Sequence, residues 1–463
     1  MENKLKFCTA CHTVNPSDAN KCRECRSNLT LDNYESVRDL KSQRIKILKY
    51  SKVIWFLFIF ALLLLIFGRC AYKRYSPNFL IDKPLSSISV LTTSNNWPMY
   101  HRDLSHSASV ISNSEIPKGI LKWKYFADSK IFSSPVIEGK NLYVSTWDGR
   151  ILSLNIDNGK LNWEKNLESP IYSTISIVDN QLIIGLNLGK IISINKSDGS
   201  LIWQYDLGGT VLSSPAVSNG VVYIGSGNGL LYAIDVVNGH KLWTFDTGGW
   251  ISSSPAVSKD VVGIISYNHG LYILDKNTGR KKFTFRIDGE PSGSAVFGED
   301  LVFVPNPSGG IKAVDWNSIN LPGDDFILRF KSQLFLLGLT NSIPHQRGFV
   351  WAASGGGGYY TTPALYENKV YAAGYSGNLI KVDEKTGNKD WEYSMKTLNL
   401  SSPLIAGRVV YIGDASGGLH AVDINNGKNI WVFNTDGQIK ASPSYSEGIV
   451  YLTSEDGYLY AIK

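Results

Sequence analysis

Four cysteines near the start of this 463-residue chain have the type and spacing of a metal site. Cys8, Cys11, Cys22 and Cys25 form two C-x2-C pairs that are separated by ten residues. Each pair makes a tight turn, and two facing turns bring four thiolates into tetrahedral geometry around one ion, typically zinc. Four sulfur ligands leave no open position for a substrate or an activated water. The pattern therefore predicts a structural Zn2+ site.

The residues around these cysteines support the same prediction. Residues 7–29, FCTACHTVNPSDANKCRECRSNL, resemble the short bacterial zinc ribbons, with His12 and Arg26 where that family usually has glycine. The alternative is a redox dithiol pair or loose cysteines, but a thioredoxin-like motif needs a βαβ unit that 30 residues are too few to form. We expect a zinc ribbon over residues 1–30 whose order depends on the metal.

The rest of the chain lacks a comparable catalytic pattern. We find no convergent acids and no nucleophile with a base in the sequence. Ser354 and the four glycines after it lack the Gly-Lys-Ser/Thr of a phosphate loop. The remaining histidines are scattered along the chain: His101, His106, His240, His269, His345 and His420. The sequence predicts a protein that is not an enzyme.

The net charge of +6 is concentrated near the N-terminus. Residues 1–52 hold 11 Lys/Arg against 6 Asp/Glu, residues 53–75 hold 3 against none, and the remainder is nearly neutral. A nucleic-acid-binding domain would carry its positive charge on a folded face. We therefore expect a membrane as neighbour and no nucleic acid as partner.

An apolar, uncharged segment separates the two regions of the chain. It runs from Val53 to Gly68 and predicts a single transmembrane helix over residues 53–72. A cleaved signal peptide would follow a short basic stretch and precede small residues, and Arg69 disfavours a lipoprotein-type attachment at Cys70.

Basic residues set the expected orientation, because more of them precede the apolar segment than follow it. The chain is expected to be a single-pass cell membrane protein with a cytoplasmic N-terminus, where reducing conditions also suit the cysteine cluster. Residues 31–52 are then a basic juxtamembrane linker and residues 73–118 an extracytoplasmic lead-in.

The remainder repeats with a period of 40 residues, the range of four-stranded propeller blades. One mark of the repeat is a hydroxyl pair followed by proline, with variants in some units. A second mark is an aromatic residue, and both marks occur eight times with a single interval of 68 instead of 40. The aromatic residues are Trp123, Trp163, Trp203, Trp243, Phe283, Trp351, Trp391 and Trp431.

Each unit also contains alternating apolar runs of strand length, separated by glycine-rich turns. The predicted fold is an all-β, eight-bladed β-propeller of four-stranded blades over residues 119–463, preceded by a small zinc ribbon and a single transmembrane helix. The longer interval places a 28-residue insertion at residues 319–346. We expect the recurrent aromatics to be wedges between blades, and the hydroxyl-proline runs to lie near the innermost strands.

The repeat resembles a known class of propellers. Its motif, with Ala233, Asp235, Gly239 and Trp243 in one unit, is similar to the repeats of quinoprotein dehydrogenases and of the outer-membrane assembly propeller lipoproteins. The assembly family implies a role in envelope protein assembly, but its members are lipid-anchored at an outer membrane. Because a transmembrane anchor and a zinc ribbon are expected here, that role is not carried over.

Ring closure follows from where the repeat begins and ends. Trp123 precedes the first hydroxyl-proline mark, whereas the last unit stops at residue 463 without an outer aromatic strand. Residues 121–125 are therefore expected to pair with the last unit, which would leave no exposed sheet edge.

Two classes of function remain at this stage. A scaffold would hold a protein, peptide or glycan ligand on one propeller face. A membrane-bound quinoprotein dehydrogenase would need the calcium-holding acids and, in many members, the adjacent cysteines that the resemblance implies, and the propeller has no cysteine. Pyrroloquinoline quinone is therefore not expected. The insertion at 319–346 is either a docking surface or a self-packed cap over one blade.

Overall fold

The computed structural model describes residues 5–29 except 9 and 12, residues 54–65, and residues 82–463 except 94 and 113. The chain divides into two compact units, Met1–Leu80 and Ile81–Lys463.

The first unit contains a small antiparallel hairpin. Strands β1 (Leu5–Phe7) and β2 (Val14–Pro16) pair with Leu5 opposite Pro16. A second short pairing joins Lys21 and Asn28. The core that the described residues 5–29 form consists of cysteines, Leu29 and Ala19, too little apolar surface to stabilise these strands alone.

Residues 54–65, within the predicted membrane segment, are helical and their side chains are exposed. Within the described part of the chain, no helix has both the length and the apolar character needed to span a membrane. Residues 53 and 66–72 of the predicted span lie outside the described residues, as do residues 31–52 and 73–81. The transmembrane helix therefore stays a prediction.

Eight antiparallel sheets form the second unit. Blade 1 contains β5 (Val136–Glu138), β6 (Asn141–Ser145), β7 (Arg150–Asn155) and β8 (Leu161–Asn166). Blade 2 contains β9 (Ser176–Val178), β10 (Gln181–Leu186), β11 (Lys190–Asn195) and β12 (Leu201–Asp206). Blade 3 contains β13 (Ala216–Ser218), β14 (Val221–Gly225), β15 (Leu230–Asp235) and β16 (Lys241–Asp246). Blade 4 contains β17 (Ala256–Ser258), β18 (Val261–Ser266), β19 (Gly270–Asp275) and β20 (Lys281–Arg286).

The other four blades follow the same plan, with one strand of the lead-in added to blade 7 and the outer strand of blade 8 supplied by the start of the propeller. Blade 5 contains β21 (Val296–Phe297), β22 (Leu301–Pro305), β23 (Ile311–Asp315) and β24 (Phe349–Ala353). Blade 6 contains β25 (Ala364–Tyr366), β26 (Lys369–Ala373), β27 (Asn378–Asp383) and β28 (Lys389–Ser394). Blade 7 contains β29 (Leu404–Ala406), β30 (Val409–Gly413), β31 (Gly418–Asp423) and β32 (Asn429–Asn434), with β3 (Ser109–Val110) parallel to β29. Blade 8 contains β33 (Ser444–Ser446), β34 (Ile449–Thr453), β35 (Tyr458–Ile462) and β4 (Leu121–Phe126). The eight-bladed propeller of four-stranded blades is confirmed.

The recurrent aromatics are wedges between blades, as predicted. Trp203 in blade 2 donates its indole N–H to the Val236 carbonyl of blade 3 at 2.8 Å. A Cβ on Gly239 would come within 2.7 Å of that ring, and Gly239 has a φ of +73°. Glycine is needed there because a side chain would collide with the wedge and strain the backbone. Phe283 occupies the same position in blade 4, next to blade 5, which carries the insertion. Its side chain has no N–H to donate.

The ring closes where the sequence predicts. Strand β4 pairs antiparallel with β35, with Trp123 opposite Ala461 and Phe126 opposite Tyr458. The outer strand of blade 8 therefore comes from the start of the propeller. Since every blade is then complete, the domain has a closed ring of four-stranded blades.

The antiparallel order of strands gives the propeller two distinct faces. The lower face carries the turns between the first and second strands and between the third and fourth strands. In blade 3 these turns touch, because the Val236 amide donates to the Gly220 carbonyl at 2.9 Å. The upper face carries the turns between the second and third strands and the connections from one blade to the next.

The insertion replaces one turn of the lower face. In blade 3 the turn after the third strand is closed by the Asp235 amide and the His240 carbonyl, at 2.7 Å. In blade 5 the equivalent bond joins the Asp315 amide to the Gly348 carbonyl, also at 2.7 Å. Between them lies a helix, Asp324–Leu336, with no buried residue. Asn320 and Gln346, near the two ends of the insertion, hydrogen-bond to the backbone of Thr284 and Arg286 in blade 4 at 2.7–2.9 Å, so the cap over one blade and the docking surface both stay open.

Candidate functional site

The structure brings the four predicted metal ligands together. The Sγ atoms of Cys8, Cys11, Cys22 and Cys25 all lie within 4.8 Å of one another, with the Cys8–Cys25 and Cys11–Cys22 pairs at 3.4 Å. Four sulfurs bound tetrahedrally to zinc at about 2.3 Å would be about 3.8 Å apart. The cluster could hold a metal ion, and the choice of zinc stays a prediction.

Two matching turns build this cluster. The Cys8 and Cys22 amides each donate to the carbonyl five residues later, at 3.0 and 2.9 Å. Arg26 has a φ of 59°, the left-handed region that glycine adopts without strain. This explains the glycine that similar zinc ribbons have at the position of Arg26. His12, the other departure, lies outside the described residues.

A hydroxyl group supports the thiolate form of one ligand. The Ser27 Oγ lies 3.0 Å from the Cys8 Sγ and 3.1 Å from the Cys25 Sγ. The Ser27 hydroxyl, together with nearby backbone amides, lowers the pKa of Cys8 to about 6. Although hydrogen bonds with Thr13 oppose the shift, hydrogen bonds with the Cys25 and Cys22 thiols and burial raise the pKa of Cys11 to about 11. Metal binding would require all four thiols to be deprotonated.

Eight hydroxyl groups surround the axis of the propeller. They belong to the second residue of each hydroxyl-proline mark, and six of them accept a backbone N–H from the equivalent residue of the preceding blade. The distances are 2.8–3.1 Å, as for Ser214 N to Ser254 Oγ at 3.0 Å. The hydroxyl pairs lie at the innermost strands, as predicted. The eight residues are Ser134, Thr174, Ser214, Ser254, Ser294, Thr362, Ser402 and Ser442.

These hydroxyls line a central funnel of about 380 Å³. Tyr100 is also among its lining residues, and its hydroxyl is bonded to the Thr362 Oγ1 at 2.8 Å. Burial raises the pKa of Tyr100, so the phenol stays neutral. Among the described residues that line the funnel, Lys440 alone is charged.

An aromatic cluster lies at the mouth of the funnel. Phe132 stacks on Tyr172 with ring centroids 4.9 Å apart, and Trp147 meets Phe132 edge-on at 5.5 Å. Trp147 and Tyr172 are 39% and 38% exposed. The Lys440 Nζ lies 5.6 Å from the Phe132 ring and 2.5 Å from a carboxylate oxygen of Glu455. The mouth therefore presents aromatic surface beside an ion pair.

The lead-in segment occupies the other end of the axis, which the sequence did not reveal. Trp97 pairs with Ile137 of blade 1, and the Ala108 carbonyl accepts from the Ile405 amide of blade 7 at 2.9 Å. Backbone carbonyls of residues 98, 104, 105 and 107 accept from the first strands of blades 2, 4, 5 and 6. The segment thereby satisfies the inner edges of the blades, which would otherwise face the channel unpaired.

Two histidines that are five residues apart in the sequence meet in this segment. The His101 and His106 rings are buried, with centroids 6.0 Å apart, and Tyr100 contacts both. The His101 Nδ1 is bonded to the His106 carbonyl and the His106 Nδ1 to the Ala295 carbonyl, at 3.3 and 3.1 Å. Their Nε2 atoms have no hydrogen-bond partner among the described residues. Both rings are therefore suited to the neutral form.

This pair predicts that the propeller loses stability at mildly acidic pH. Burial lowers the pKa of His106 to about 4 and that of His101 well below its usual value, while Asp103 partly opposes the shift at His106. The unfolded chain therefore binds more protons, and stability is fully present above about pH 6.5 and declines as pH falls towards 4. The free energy of unfolding should fall by up to about 1.4 kcal/mol per pH unit for each histidine.

The measurement is denaturant unfolding of the propeller between pH 7 and pH 5. The double variant His101→Asn and His106→Asn is the control, because the asparagine amide can replace the Nδ1 donor without titrating. It should flatten the dependence on pH. An equal slope in the variant and the native chain would show that other groups cause it.

A third histidine belongs to a buried hydrogen-bond chain. The His420 Nε2 lies 2.9 Å from the Asp414 Oδ2, and its Nδ1 lies 2.8 Å from the Tyr393 hydroxyl. His420 and Asp414 are buried. In blade 3 the equivalent of His420 is Tyr232, whose hydroxyl donates to a backbone carbonyl. These hydrogen bonds therefore link Tyr393, on the outer strand of blade 6, to His420 and Asp414 of blade 7.

The funnel residues do not suit a quinone cofactor held with calcium. Hard cations such as Ca²⁺ take carboxylate and carbonyl oxygens, yet the described residues that line the funnel include no Asp or Glu. Among the described residues, the one group of three or more His, Cys, Asp or Glu that could hold a metal ion is the cysteine cluster. No step of a quinone reaction is therefore assigned to these residues.

Comparison with protein families identifies the repeat. Residues 109–214, 206–318, 347–432 and 401–463 match the family described as outer membrane protein assembly factor BamB. The insertion at 319–346 falls between two of these matches. No curated protein sequence matches the chain significantly.

Solved structures share the fold at low sequence identity. BamB from Moraxella catarrhalis has a TM-score of 0.59 and 18% identity, covering 74% of this chain and 97% of that one. The quinohemoprotein alcohol dehydrogenase from Comamonas testosteroni has a TM-score of 0.65 and 14% identity, covering 80% of each chain. The computationally designed Ika8 protein has a TM-score of 0.60 and 14% identity, covering 75% of this chain and 99% of that one.

Proposed function

Because the chain belongs to the family described as outer membrane protein assembly factor BamB, we propose that it is a membrane-anchored, non-catalytic scaffold. Its propeller binds a protein segment on the upper face, outside the cytoplasm, and its N-terminal cysteine cluster holds a structural zinc ion on the cytoplasmic side. The family description supports a protein ligand, since it names a protein assembly factor. The solved structures share only the fold with this chain. The surface of the chain itself therefore indicates the ligand.

The binding site is proposed from one observation, the exposed aromatic cluster at the mouth of the funnel. Phe132, Trp147 and Tyr172 form a contiguous aromatic surface, and Lys440 lies beside it. Tryptophan, tyrosine and arginine side chains contribute most of the binding energy in typical protein interfaces, whereas smaller polar contacts exclude water around them. The funnel hydroxyls behind the cluster offer polar partners for a bound segment.

The proposal of a non-catalytic role is supported by the chemistry of the funnel. Its hydroxyls accept backbone N–H groups and form part of the blade structure, and no described base lies beside them. Lys440 is paired with Glu455. A calorimetric titration with pyrroloquinoline quinone and calcium is expected to show no binding, and tight stoichiometric binding would favour a quinoprotein dehydrogenase instead.

The membrane anchor is proposed from the sequence of residues 53–72. The uncharged apolar run from Val53 to Gly68 supports it, and residues 54–65 are helical. The greater number of basic residues before this run supports a cytoplasmic N-terminus. Protease protection of the N-terminal 50 residues in sealed vesicles tests this orientation directly.

Affinity capture tests the binding site. Detergent-solubilised full-length protein is compared with the double variant Trp147→Ala and Tyr172→Ala, which should lose bound proteins by about tenfold or more because two interface anchors are removed. The control is Ile202→Ala with Ile430→Ala, two exposed residues of outer strands. Equal recovery by both variants would contradict the site, and recovery of glycans without protein would change the class of ligand.

A further inference from the structure

Three hydroxyl groups of the funnel have a proton that no described group of the chain accepts. Thr174, Ser214 and Ser254 each accept a backbone N–H from the preceding blade, at 3.0–3.1 Å. Among the residues that the structure describes, none accepts a hydrogen bond from these three hydroxyls. The three residues are buried, with 3%, 5% and 6% exposure. A buried hydroxyl without an acceptor is unfavourable, so an acceptor supplied by a ligand would be stabilising here.

Tyr100 shows what kind of group such hydroxyls hold. Its phenol oxygen lies 2.8 Å from the Thr362 Oγ1 and also forms hydrogen bonds with the Ser402 and Ser294 hydroxyls. These three hydroxyls belong to blades 5, 6 and 7, so the lead-in has already placed an oxygen beside them. In the described part of the chain, the ring hydroxyls of blades 2, 3 and 4 have no such oxygen. They are therefore available to a group that enters from the mouth.

A fourth hydroxyl without a partner lies in the next layer towards the mouth. This layer consists of the residue two positions before each ring hydroxyl, including Tyr172 and Lys440 of the mouth. Its member in blade 4 is Ser252, whose Oγ is buried and has no hydrogen-bond partner among the described residues. The member in blade 5 is Ser292, whose hydroxyl donates to the Tyr360 carbonyl at 3.1 Å. The two serines have the same place in the repeat, so the fold does not require the Ser252 hydroxyl to be unpaired.

The charge of the lining favours an anion. Lys440 is the one charged residue among the described residues that line the funnel. Its Nζ lies 2.5 Å from a carboxylate oxygen of Glu455, which also pairs with Lys130 at 3.3 Å. An incoming carboxylate can therefore pair with Lys440 while Glu455 keeps Lys130. Hydroxyl and ammonium donors form strong, charge-assisted hydrogen bonds with a carboxylate, whereas an incoming ammonium group would meet no carboxylate in the described lining.

The closed base of the funnel favours the end of a chain. The funnel has a volume of about 380 Å³, and Tyr100 of the lead-in lines its inner end. A loop of a protein would have to enter and leave through the same mouth, whereas a chain end only has to enter. Of the two ends of a protein, the C-terminus carries the negative charge and the acceptor oxygens. Capture of a C-terminal carboxylate is a recurring mode of peptide recognition.

We propose that the funnel binds the C-terminal carboxylate of the protein segment, with the hydroxyls of Thr174, Ser214 and Ser254 as donors. This inference rests on the proposed function and names the part of the segment that the funnel holds. Ser252 and Lys440 add a donor and a positive charge from the next layer. The aromatic cluster at the mouth then contacts the residues that precede the C-terminus.

Peptide libraries test the carboxylate. Octapeptides with four randomised C-terminal residues are made as two libraries, one with free carboxylates and one with C-terminal amides. Both are incubated with detergent-solubilised full-length protein, and the retained peptides are quantified by mass spectrometry. We expect the free acids to be retained at least about tenfold more than the amides, because a carboxylate accepts stronger hydrogen bonds than a neutral amide. Equal retention, or retention of neither library, would overturn the carboxylate site.

The sequences of the retained peptides distinguish two sources of a carboxylate. A C-terminal site predicts no enrichment of Asp or Glu among the retained amides. Strong retention of amides that are rich in Asp and Glu would show that the funnel takes a side-chain carboxylate, and this would overturn the C-terminal assignment.

Two serine variants provide a matched pair. Ser252→Ala should reduce the preference for free acids by about threefold or more, because it removes a donor that the described chain does not use. It should not lower the melting temperature, since none of the described hydrogen bonds is lost. Ser292→Ala is the control and should leave the preference unchanged, because that hydroxyl already donates to the Tyr360 carbonyl. An equal effect of the two variants would contradict the proposed donors.

The ring of hydroxyls is tested at Thr174. Thr174→Val keeps the shape of the side chain but removes the donor, and it should reduce the retention of free acids by about tenfold. Thr174→Ser keeps the hydroxyl and should bind free acids as the native chain does. The melting temperature is measured alongside, because Thr174 also accepts the Ser134 N–H at 3.1 Å. If the valine variant does not fold, the two serine variants decide the outcome.

The outcomes separate the carboxylate site from the proposed function. Retention of acids and amides alike, lost in Trp147→Ala with Tyr172→Ala, would keep the binding face and overturn the carboxylate site. Failure of both libraries, together with proteins captured through the aromatic cluster, would have the same meaning. Failure of both libraries and of affinity capture would contradict the proposed function as well.

Discussion

Deletion of residues 119–126 is expected to abolish the cooperative unfolding of the propeller and to make the chain aggregate. The deletion removes β4, which is the outer strand of blade 8, and exposes the edge of β35. It also removes the two hydrogen bonds between Ile120 and Lys463, at 2.8 Å each. An unpaired sheet edge is a template for association with other chains.

The size of the effect follows from the lost contacts. Trp123, which is half-buried, packs against Tyr451 with ring centroids 5.9 Å apart. Truncation of a core tryptophan costs about 3–5 kcal/mol, which is an upper value for this side chain. The melting temperature should therefore fall by about 10 °C or more in a calorimetric scan. An open repeat array would lose only a terminal strand. A deletion variant that unfolds like the native chain would show that closure does not stabilise the ring.

A designed disulfide tests the same joint without disruption. Phe126→Cys with Tyr458→Cys places two thiols on directly paired residues in a domain that has no other cysteine. Oxidation should produce a crosslinked chain that migrates differently on a non-reducing gel. The control is Lys122→Cys with Tyr458→Cys, because Lys122 lies about 13 Å further along the strand, beyond disulfide reach. Equal crosslinking of both pairs would contradict the observed register.

Removal of the metal is expected to unfold the N-terminal ribbon. The described core of this unit is too small to fold alone, and structural zinc contributes about 10–16 kcal/mol in comparable peptides. Residues 1–30 should bind about one zinc ion per chain, as measured by a metal-release assay. Chelation should abolish the circular dichroism of the folded form.

Single substitutions sharpen this prediction. Cys8→Ser or Cys25→Ser in the full-length protein should lose the ion, because each removes one of four ligands. Cys70→Ser is the matched control and should retain it, since Cys70 is not one of the four predicted ligands. A chain that keeps its structure after chelation would contradict a structural metal site.

The parts of the fold that the sequence predicts are those that repeat or lie close together along the chain. The 40-residue period and the eight aromatic wedges predict the number of blades, because every blade makes the same contacts with its neighbour. The last unit has no outer strand of its own in the sequence, and this predicts the closing strand. Cys8 and Cys11 share one local turn, and Cys22 and Cys25 share another. The C-x2-C spacing alone therefore indicates that the four thiols lie close together. For the same reason the hydroxyl ring can be placed on the inner strands.

Only the tertiary structure decides the features that have no period. The lead-in has no repeat to indicate that its carbonyls, from Pro98 to Ala108, pair with the inner strands of different blades. The sequence therefore shows His101 and His106 as scattered residues, whereas the folded chain buries them together. Composition likewise leaves the insertion as either a cap or a docking surface, since both are rich in apolar residues. In the folded chain Phe326 and Phe330 are exposed, because the helix that carries them buries none of its residues.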